Sequence, residues 1–275
     1  MRTVVGRVAA FAALALVMLP PLFPLYWMLI SSLKGPEELQ RIPPSWFPSA
    51  PGFGAFGEVF EVVPFGSAFL NSVLIAGVST VSVLVTSVMA GYVFAKYHFK
   101  GRDFLFWAVV ATMFLPPVVT LVPLYWLVST MGLADSYLGV MLPWLANAFG
   151  IFLMRQFIAD IPDELIDAAR VDGAGEGRIL LRVITPLVRP ALVSLAIFAF
   201  VFYWNNFLWP LSILQDDSKF PVVLALSQLL SYSTSVQYQN VVMAGALIAS
   251  VPTILVFLLA QRVFVQSISR SGVKG

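Results

Sequence analysis

The side chains able to do chemistry gather in one polar stretch. Residues 155–189 hold Asp160, Asp163, Glu164, Asp167, Asp172 and Glu176 beside Arg155, Arg170, Arg178, Arg182 and Arg189. The centre reads Ile161-Pro162-Asp163-Glu164-Leu165-Ile166-Asp167-Ala168-Ala169-Arg170-Val171-Asp172-Gly173-Ala174-Gly175. Proline suits a first helical turn and acids suit the positive end of the helix dipole, so this predicts a short helix over 163–171. Gly173 and Gly175 can end it through left-handed backbone, and a second helical stretch over 178–183 leads to Pro186 and Pro190. Such a helix, with small Ala168 and Ala169 and a few charges, suits docking into a groove on another protein. A solvated amphipathic linker fits the same spacing. Catalysis has less to work with. The chain has no cysteine, hence no thiol nucleophile, disulfide or thiolate metal site. Its one histidine, His98, sits in a basic turn with Lys96, Lys100 and Arg102, where a solvated anchor is the favoured reading.

The frame around this stretch is a membrane protein. Of 275 residues, 59% are hydrophobic and 11% charged, against about 25% charged in a soluble domain. Disorder needs low hydrophobicity and high net charge, and a net charge of +2 gives no reason to expect nucleic acid. Six stretches carry no Asp, Glu, Lys, Arg or His: 8–33, 67–95, 104–128, 137–154, 190–214 and 241–261. About 20 apolar residues in a helix cross the hydrocarbon core, and only helices or closed barrels leave no backbone group unpaired there. The runs lack the alternation of barrel strands. The expected fold is therefore an all-α polytopic membrane protein with six transmembrane helices, a single domain over 1–275, and a cytoplasmic loop at 155–189. With both termini inside, thirteen of the sixteen Lys and Arg residues fall on the cytoplasmic side and only Lys34, Arg41 and Lys219 outside, as the positive-inside rule requires. The apolar run after Arg2 and Arg7 continues to Leu33, longer than a signal peptide's core, which predicts a retained first helix.

Polar and helix-breaking residues inside these runs suggest more than an anchor. Pro116, Pro117, Pro123, Pro143, Pro210 and Pro252 each remove a backbone donor. Ordinary bundle packing explains most of them, a kinked bundle around a translocation path is the sharper reading, and proline alone does not decide between the two. The candidates for such a path are Asn71, Trp204, Asn205 and Asn206. Trp204-Asn205-Asn206-Phe207 offers a ring and amides suited to a sugar, although interhelical hydrogen bonding and an aromatic belt explain the same residues and are preferred. No ionisable side chain lies within the six runs, which argues against a proton relay and against an acid–base membrane enzyme. Residues 34–66, rich in Pro, Gly and aromatics, could lie along the membrane surface or touch an outside partner.

The 155–189 stretch resembles the signature of ATP-binding-cassette importer permeases, Glu-Ala-Ala-x3-Gly-x9-Ile-x-Leu-Pro. Here it runs Asp167-Ala168-Ala169, Gly173, Val183, Thr185, Pro186 with the spacing intact and Asp, Val and Thr replacing Glu, Ile and Leu. Asn71-Ser72, Trp204-Asn205 and the terminal Gly272-Val273-Lys274-Gly275 narrow the resemblance to carbohydrate-type permeases similar to the shorter membrane subunit of maltose-type transporters. The resemblance implies the type I importer permease fold and residence in a bacterial or archaeal plasma (inner) membrane. It further implies a second homologous permease, two ATPase subunits that use ATP and magnesium, and an extracytoplasmic sugar-binding protein. This chain would then bind no cofactor and hydrolyse nothing. The 163–175 helix would be the coupling helix, with Asp167 facing a basic residue of the ATPase and Ala168, Ala169, Asp172 and Gly173 at the contact. Gly272, Val273, Lys274 and Gly275 would be a second ATPase contact. A stand-alone carrier or channel for a small neutral solute is the alternative.

Overall fold

The apolar runs do fold as helices, but several are interrupted. The computed structural model describes residues 2–232 and 236–271, except the side chains of 236, of 260–271 and of parts of 2–15. Helices account for most of that length, and no strand occurs among the described residues. In chain order they are α1 (Arg2–Ser32), α2 (Pro36–Leu39), α3 (Gly54–Val62), α4 (Phe65–Lys96), α5 (Arg102–Ala111), α6 (Pro117–Thr130), α7 (Tyr137–Met141) and α8 (Ala148–Ala159). There follow α9 (Asp163–Val171), α10 (Glu176–Ile179), α11 (Thr185–Leu187), α12 (Arg189–Trp204), α13 (Leu208–Ile213), α14 (Val222–Tyr232) and α15 (Gln239–Ser271). Two are long and apolar enough to cross a bilayer among the described residues, α4 and α15 over Gln239–Leu259. Three bent pairs raise this to five if each is one span. They are Arg102–Phe114 with Pro117–Thr130, bent by 107°, Tyr137–Trp144 with Ala148–Ala159, by 40°, and Glu176–Leu187 with Arg189–Trp204, by 83°.

Exposure along α4 is inverted relative to a soluble helix. Leu70, Val78, Val81, Val85 and Met89 are exposed, while Ser72, Ser79 and Ser87 are buried. An apolar solvent outside and close, hydroxyl-lined helix contacts inside produce that pattern.

The larger of two compact units comprises the described residues of 68–223 and 252–275. Its core joins Ile75 of α4, Val128 of α6, Val140 of α7 and Trp209, Ile213 and Leu214 at the end of α13. Polar side chains close the loops around it. Asp135 adopts a positive φ of 52°, which aspartate tolerates because its short side chain bonds locally. Its backbone N–H donates to Ile213 O (2.8 Å), and its carboxylate accepts from the N–H groups of Gln215 (2.9 Å) and Asp216 (3.1 Å) and from Lys219 Nζ (2.6 Å). Lys219 and those two N–H groups hold the Asp135 carboxyl down to about 2. Ser72 Oγ accepts the N–H of Val222 at 2.7 Å, which ties the start of α14 to α4.

The smaller unit comprises the described residues of 1–67 and 224–251. Here Gly245 admits α14 and the start of α4: a Cβ added to it would lie 2.8 Å from Leu229 Cδ2 and 3.6 Å from Phe65 Cε2. Phe65 in turn meets Phe60 of α3 edge-on, with centroids 6.0 Å apart.

In the larger unit, the C-terminal end of α4 sits hard against α8. A Cβ on Gly91 would lie 2.7 Å from Met154 Cβ and 2.9 Å from Arg155 N, so backbone would have to shift. Substituting Gly91→Leu is expected to destabilise the fold by about 1–3 kcal/mol, read as a lower Tm in detergent. Gly77→Leu on the same helix, where nothing lies within 4 Å, should leave Tm unchanged.

Candidate functional site

The polar loop begins where α8 ends, with Ile158 and Ile161 buried. Pro162 holds extended backbone (ψ 135°) and starts α9, whose first turn carries Asp163 and Glu164. Of α9 only Ile166 is buried, so the helix presents its remaining side chains outward, Asp167 and Ala168 among them. It ends at Asp172 in a double closure: Gly173 N–H donates to Arg170 O (3.0 Å) and Ala174 N–H to Ala169 O (2.9 Å). These bonds with a left-handed Gly173 (φ 79°) form a Schellman motif. Nothing lies within 4 Å of where a Gly173 Cβ would be. The glycine is required by its φ, and the space beyond it is open.

Both ends of α9 are tied to the C-terminal end of α4. Lys96 Nζ, itself buried, bonds Ile161 O and Asp163 Oδ1, the latter at 2.6 Å. At the other end Tyr92 OH donates to Glu176 Oε2 (2.7 Å), Arg170 Nε donates to Glu176 Oε1 (3.1 Å), and Arg170 Nη1 donates to Asp167 Oδ1 (3.2 Å). The Lys96 ammonium holds the Asp163 carboxyl below its ordinary value. The Tyr97 and Tyr92 hydroxyls, then Arg170, do the same for Glu176. Exposed ion pairs contribute only about 0–1 kcal/mol each, so their effect here is positional. Beyond Glu176 the chain passes through α10 and a π-helical turn, Leu180–Ile184, in which Thr185 Oγ1 donates to Leu180 O at 2.7 Å.

A second feature lies where the apolar helices break. A cavity of about 510 Å³ is lined by Pro117, Thr120, Trp144, Asn205, Asn206 and apolar neighbours. Another, of about 460 Å³, shares Val201 and Phe202 with it and adds Asn147 and Tyr203. No charged side chain lines either. Trp144 Nε1 is buried with no hydrogen-bond partner among the described residues. Asn205 Nδ2 donates to Val201 O at 2.8 Å, leaving its carbonyl oxygen as an acceptor.

Of the residues singled out in the sequence, Asp167, Ala168, Ala169, Asp172 and Gly173 come together on α9 and its cap. Asn205 and Asn206 reach the cavity. Asn71 and Trp204 do not line it. Asn71 Nδ2 donates to Ser218 O (2.9 Å) and Phe220 O (3.0 Å), and its Oδ1 accepts from Tyr137 OH (2.9 Å). Trp204 is buried between Phe69 and Phe200. Gly272, Val273, Lys274 and Gly275 lie outside the described residues. The sequence reading missed Tyr92, Lys96, Trp144 and Glu176. Trp144 follows Pro143, and that helix-breaking step was the available signal. No group of three or more His, Cys, Asp and Glu suited to a metal occurs among the described residues.

Residues 84–270, which include α9 and the cavity-lining side chains, match the family described as the binding-protein-dependent transport system inner membrane component. The chain belongs to that family. This inner membrane component is 35% identical over 278 residues to the arabinooligosaccharides transport system permease protein AraQ of Bacillus subtilis, covering 98% of this chain and 97% of that protein. It is 32% identical over 253 residues to the sn-glycerol-3-phosphate transport system permease protein UgpE of Yersinia pestis, covering 90% of each. In fold it matches a chain in the crystal structure of a bacterial ABC transporter involved in the import of the acidic polysaccharide alginate. The TM-score is 0.84 at 24% identity, covering 94% of this chain and 96% of that one. The chain is thus a transport component, with the fold of an ABC importer permease.

The Glu176 link has a sign in pH. Its carboxyl lies below the ordinary 4.5 in the folded chain, so its stabilisation is complete above that value and fades as pH falls through the folded value. Amide exchange over 172–180 should therefore accelerate at pH 4 relative to pH 7 once intrinsic rates are divided out. In Glu176→Gln the exchange should be fast at both. An unchanged profile in the variant would remove Glu176 from the link.

Proposed function

We propose that this chain is the membrane-spanning permease subunit of an ATP-driven, binding-protein-dependent sugar importer. In this reading it crosses the membrane six times with both termini in the cytoplasm. It forms a pathway with a second, homologous permease. Two ATPase subunits sit beneath and consume ATP with magnesium, and an extracytoplasmic binding protein delivers the sugar. The distribution of Lys and Arg, thirteen of sixteen on one side, supports the orientation.

The observation that carries the reading is α9. An exposed helix with an acid at Asp167, small residues at Ala168 and Ala169 and a capped end at Gly173 is shaped to sit in a groove. Its pairing to Lys96 and, through Arg170 and Glu176, to Tyr92 makes it continuous with the 32-residue α4. When ATP closes the ATPase dimer, the cleft moves α9, and α9 moves the inner end of α4. Asp167 exchanges its Arg170 partner for a basic group of the ATPase, a swap of one exposed pair for another that costs little.

For the cargo, the likeness to an arabinooligosaccharide permease over 98% of the chain and the uncharged cavity support a neutral di- or oligosaccharide. A hydroxyl-rich guest meets amides and aromatic side chains there, and nothing compensates an anion.

The test uses the assembled transporter in proteoliposomes with its binding protein. Gly173→Trp should reduce ATP-dependent uptake at least tenfold while the protein stays in the membrane. Gly173→Asn, which tolerates left-handed backbone, should retain most of it. Full uptake by the tryptophan variant would sink the docking role of this loop.

A further inference from the structure

The segment after α1 folds back along that helix. Of the four charges between α1 and Ile42, Lys34 and Glu38 are buried, while Glu37 and Arg41 are exposed. Lys34 Nζ donates to Ser45 O and lies 4.8 Å from the Trp27 ring centroid. Glu38 accepts from Ser45 Oγ (2.8 Å), Ser49 N–H (3.0 Å) and Ser49 Oγ (2.9 Å). Burial pushes the Glu38 carboxyl up, and the bonds from Ser45 and Ser49 with the charge on Lys34 more than offset it. Gly52 N–H donates to Leu33 O at 3.0 Å, which closes the hairpin at the helix end.

This knot turns the polar groups inward and the apolar ones out. From Ile42 to Gly57 no side chain is charged. Ile42, Trp46, Phe47 and Phe53 are 60–95% exposed. Their level is fixed by Trp46, whose ring lies 6.3 Å from that of Trp27 and 6.2 Å from that of Phe23. Its carbonyl accepts from Tyr26 OH. Trp27 and Phe23 lie five and nine residues before the last residue of α1, or roughly 7 and 13 Å along the axis at 1.5 Å per residue. The headgroup zone is about 5–8 Å deep on each side. Trp46 therefore sits beside the apolar surface of α1, where Leu19, Leu22, Phe23 and Leu29 are exposed, and not beyond its end.

We propose that residues 42–53 are an interfacial anchor lying in the bilayer's headgroup region, with Ile42, Trp46, Phe47 and Phe53 in contact with lipid. The exposed row continues the apolar face of α1, and aromatic rings are favoured at that depth. A docking face for a soluble protein would carry charged or polar groups through its rim, whereas the exposed row from Ile42 to Phe53 carries no charge and Lys34 and Glu38 beside it are turned inward. The inference rests on α1 crossing the membrane and is independent of the cargo.

The chain has no cysteine, so Ile42→Cys and Phe47→Cys each accept one nitroxide label in the assembled transporter in liposomes, with partner cysteines replaced. Both positions are well exposed and leave the buried knot intact. Leu19→Cys on α1 is the reference for the span. Collisions with oxygen should exceed those with a nickel chelate severalfold at 42 and 47. Nickel predominating at 42 and 47 but not at 19 overturns the anchor alone. Low collision with both reagents at 42 and 47 overturns it in favour of a protein partner. Nickel predominating at all three overturns the span and the anchor with it.

Discussion

A break in a helix surrounded by hydrocarbon strands carbonyl and N–H groups that water cannot reach, each costing several kcal/mol if left unpaired. In the larger unit the breaks between α5 and α6, between α7 and α8, and between α12 and α13 are met by local partners. Between α7 and α8, Leu145 O accepts from Ser82 and Thr86 of α4, Trp144 O accepts from Tyr203 OH, and Asn147 caps the N–H of Gly150. Gly139 O and Val140 O share the indole N–H of Trp209. At the end of α12 Asn205 takes up Val201 O, while Pro116 and Pro117 open the α5–α6 break with residues that have no N–H to satisfy. The intramembrane hydroxyls and amides are mainly backbone partners. The cavity is the space these repaired breaks leave, and this explains why its lining mixes amides with apolar rings and holds no charge.

The same economy governs the 155–189 loop. Each of its ion pairs has at least one well-exposed partner and is individually weak, yet they sit at the ends of α9 and lead to the last turns of α4. A helix of nine residues has little stability of its own. Its shape comes from the Schellman closure at Gly173, and its direction from Lys96 and Tyr92. α9 is thereby tied to a helix 32 residues long, whose contact with α8 at Gly91 leaves no slack for a side chain.

Much of this was legible in the sequence, for reasons that differ between elements. Charge-free runs report the solvent around a helix, so α4 and the apolar part of α15 were visible at once. The spacing from Pro162 to Gly173 encodes local caps, and α9 folds over 163–171 as those caps dictate. Sharp bends were less visible. Prolines marked the break before α6, but a 107° turn depends on what packs on either side, and hydropathy carries no such information. Asn71 and Trp204 show the limit from another direction. Residue type made them candidates for a pathway, whereas Asn71 is consumed by three partners and Trp204 by two rings. Lys96 reads as one more positive-inside charge until the fold brings it to Asp163.

Relatives whose names specify different cargoes, an arabinooligosaccharide and a glycerol phosphate, resemble this chain to nearly the same degree, 35% and 32% identity over almost its full length. Overall likeness of that breadth does not by itself assign the cargo. The helix breaks and their repair, the close α4–α8 contact and the capped α9 answer constraints set by the bilayer and the backbone and not by any cargo. In the proposed reading, discrimination between cargoes would fall to lining groups with hydrogen-bonding capacity to spare, such as the carbonyl oxygen of Asn205. A change confined to that oxygen leaves the Asn205 Nδ2–Val201 O bond in place.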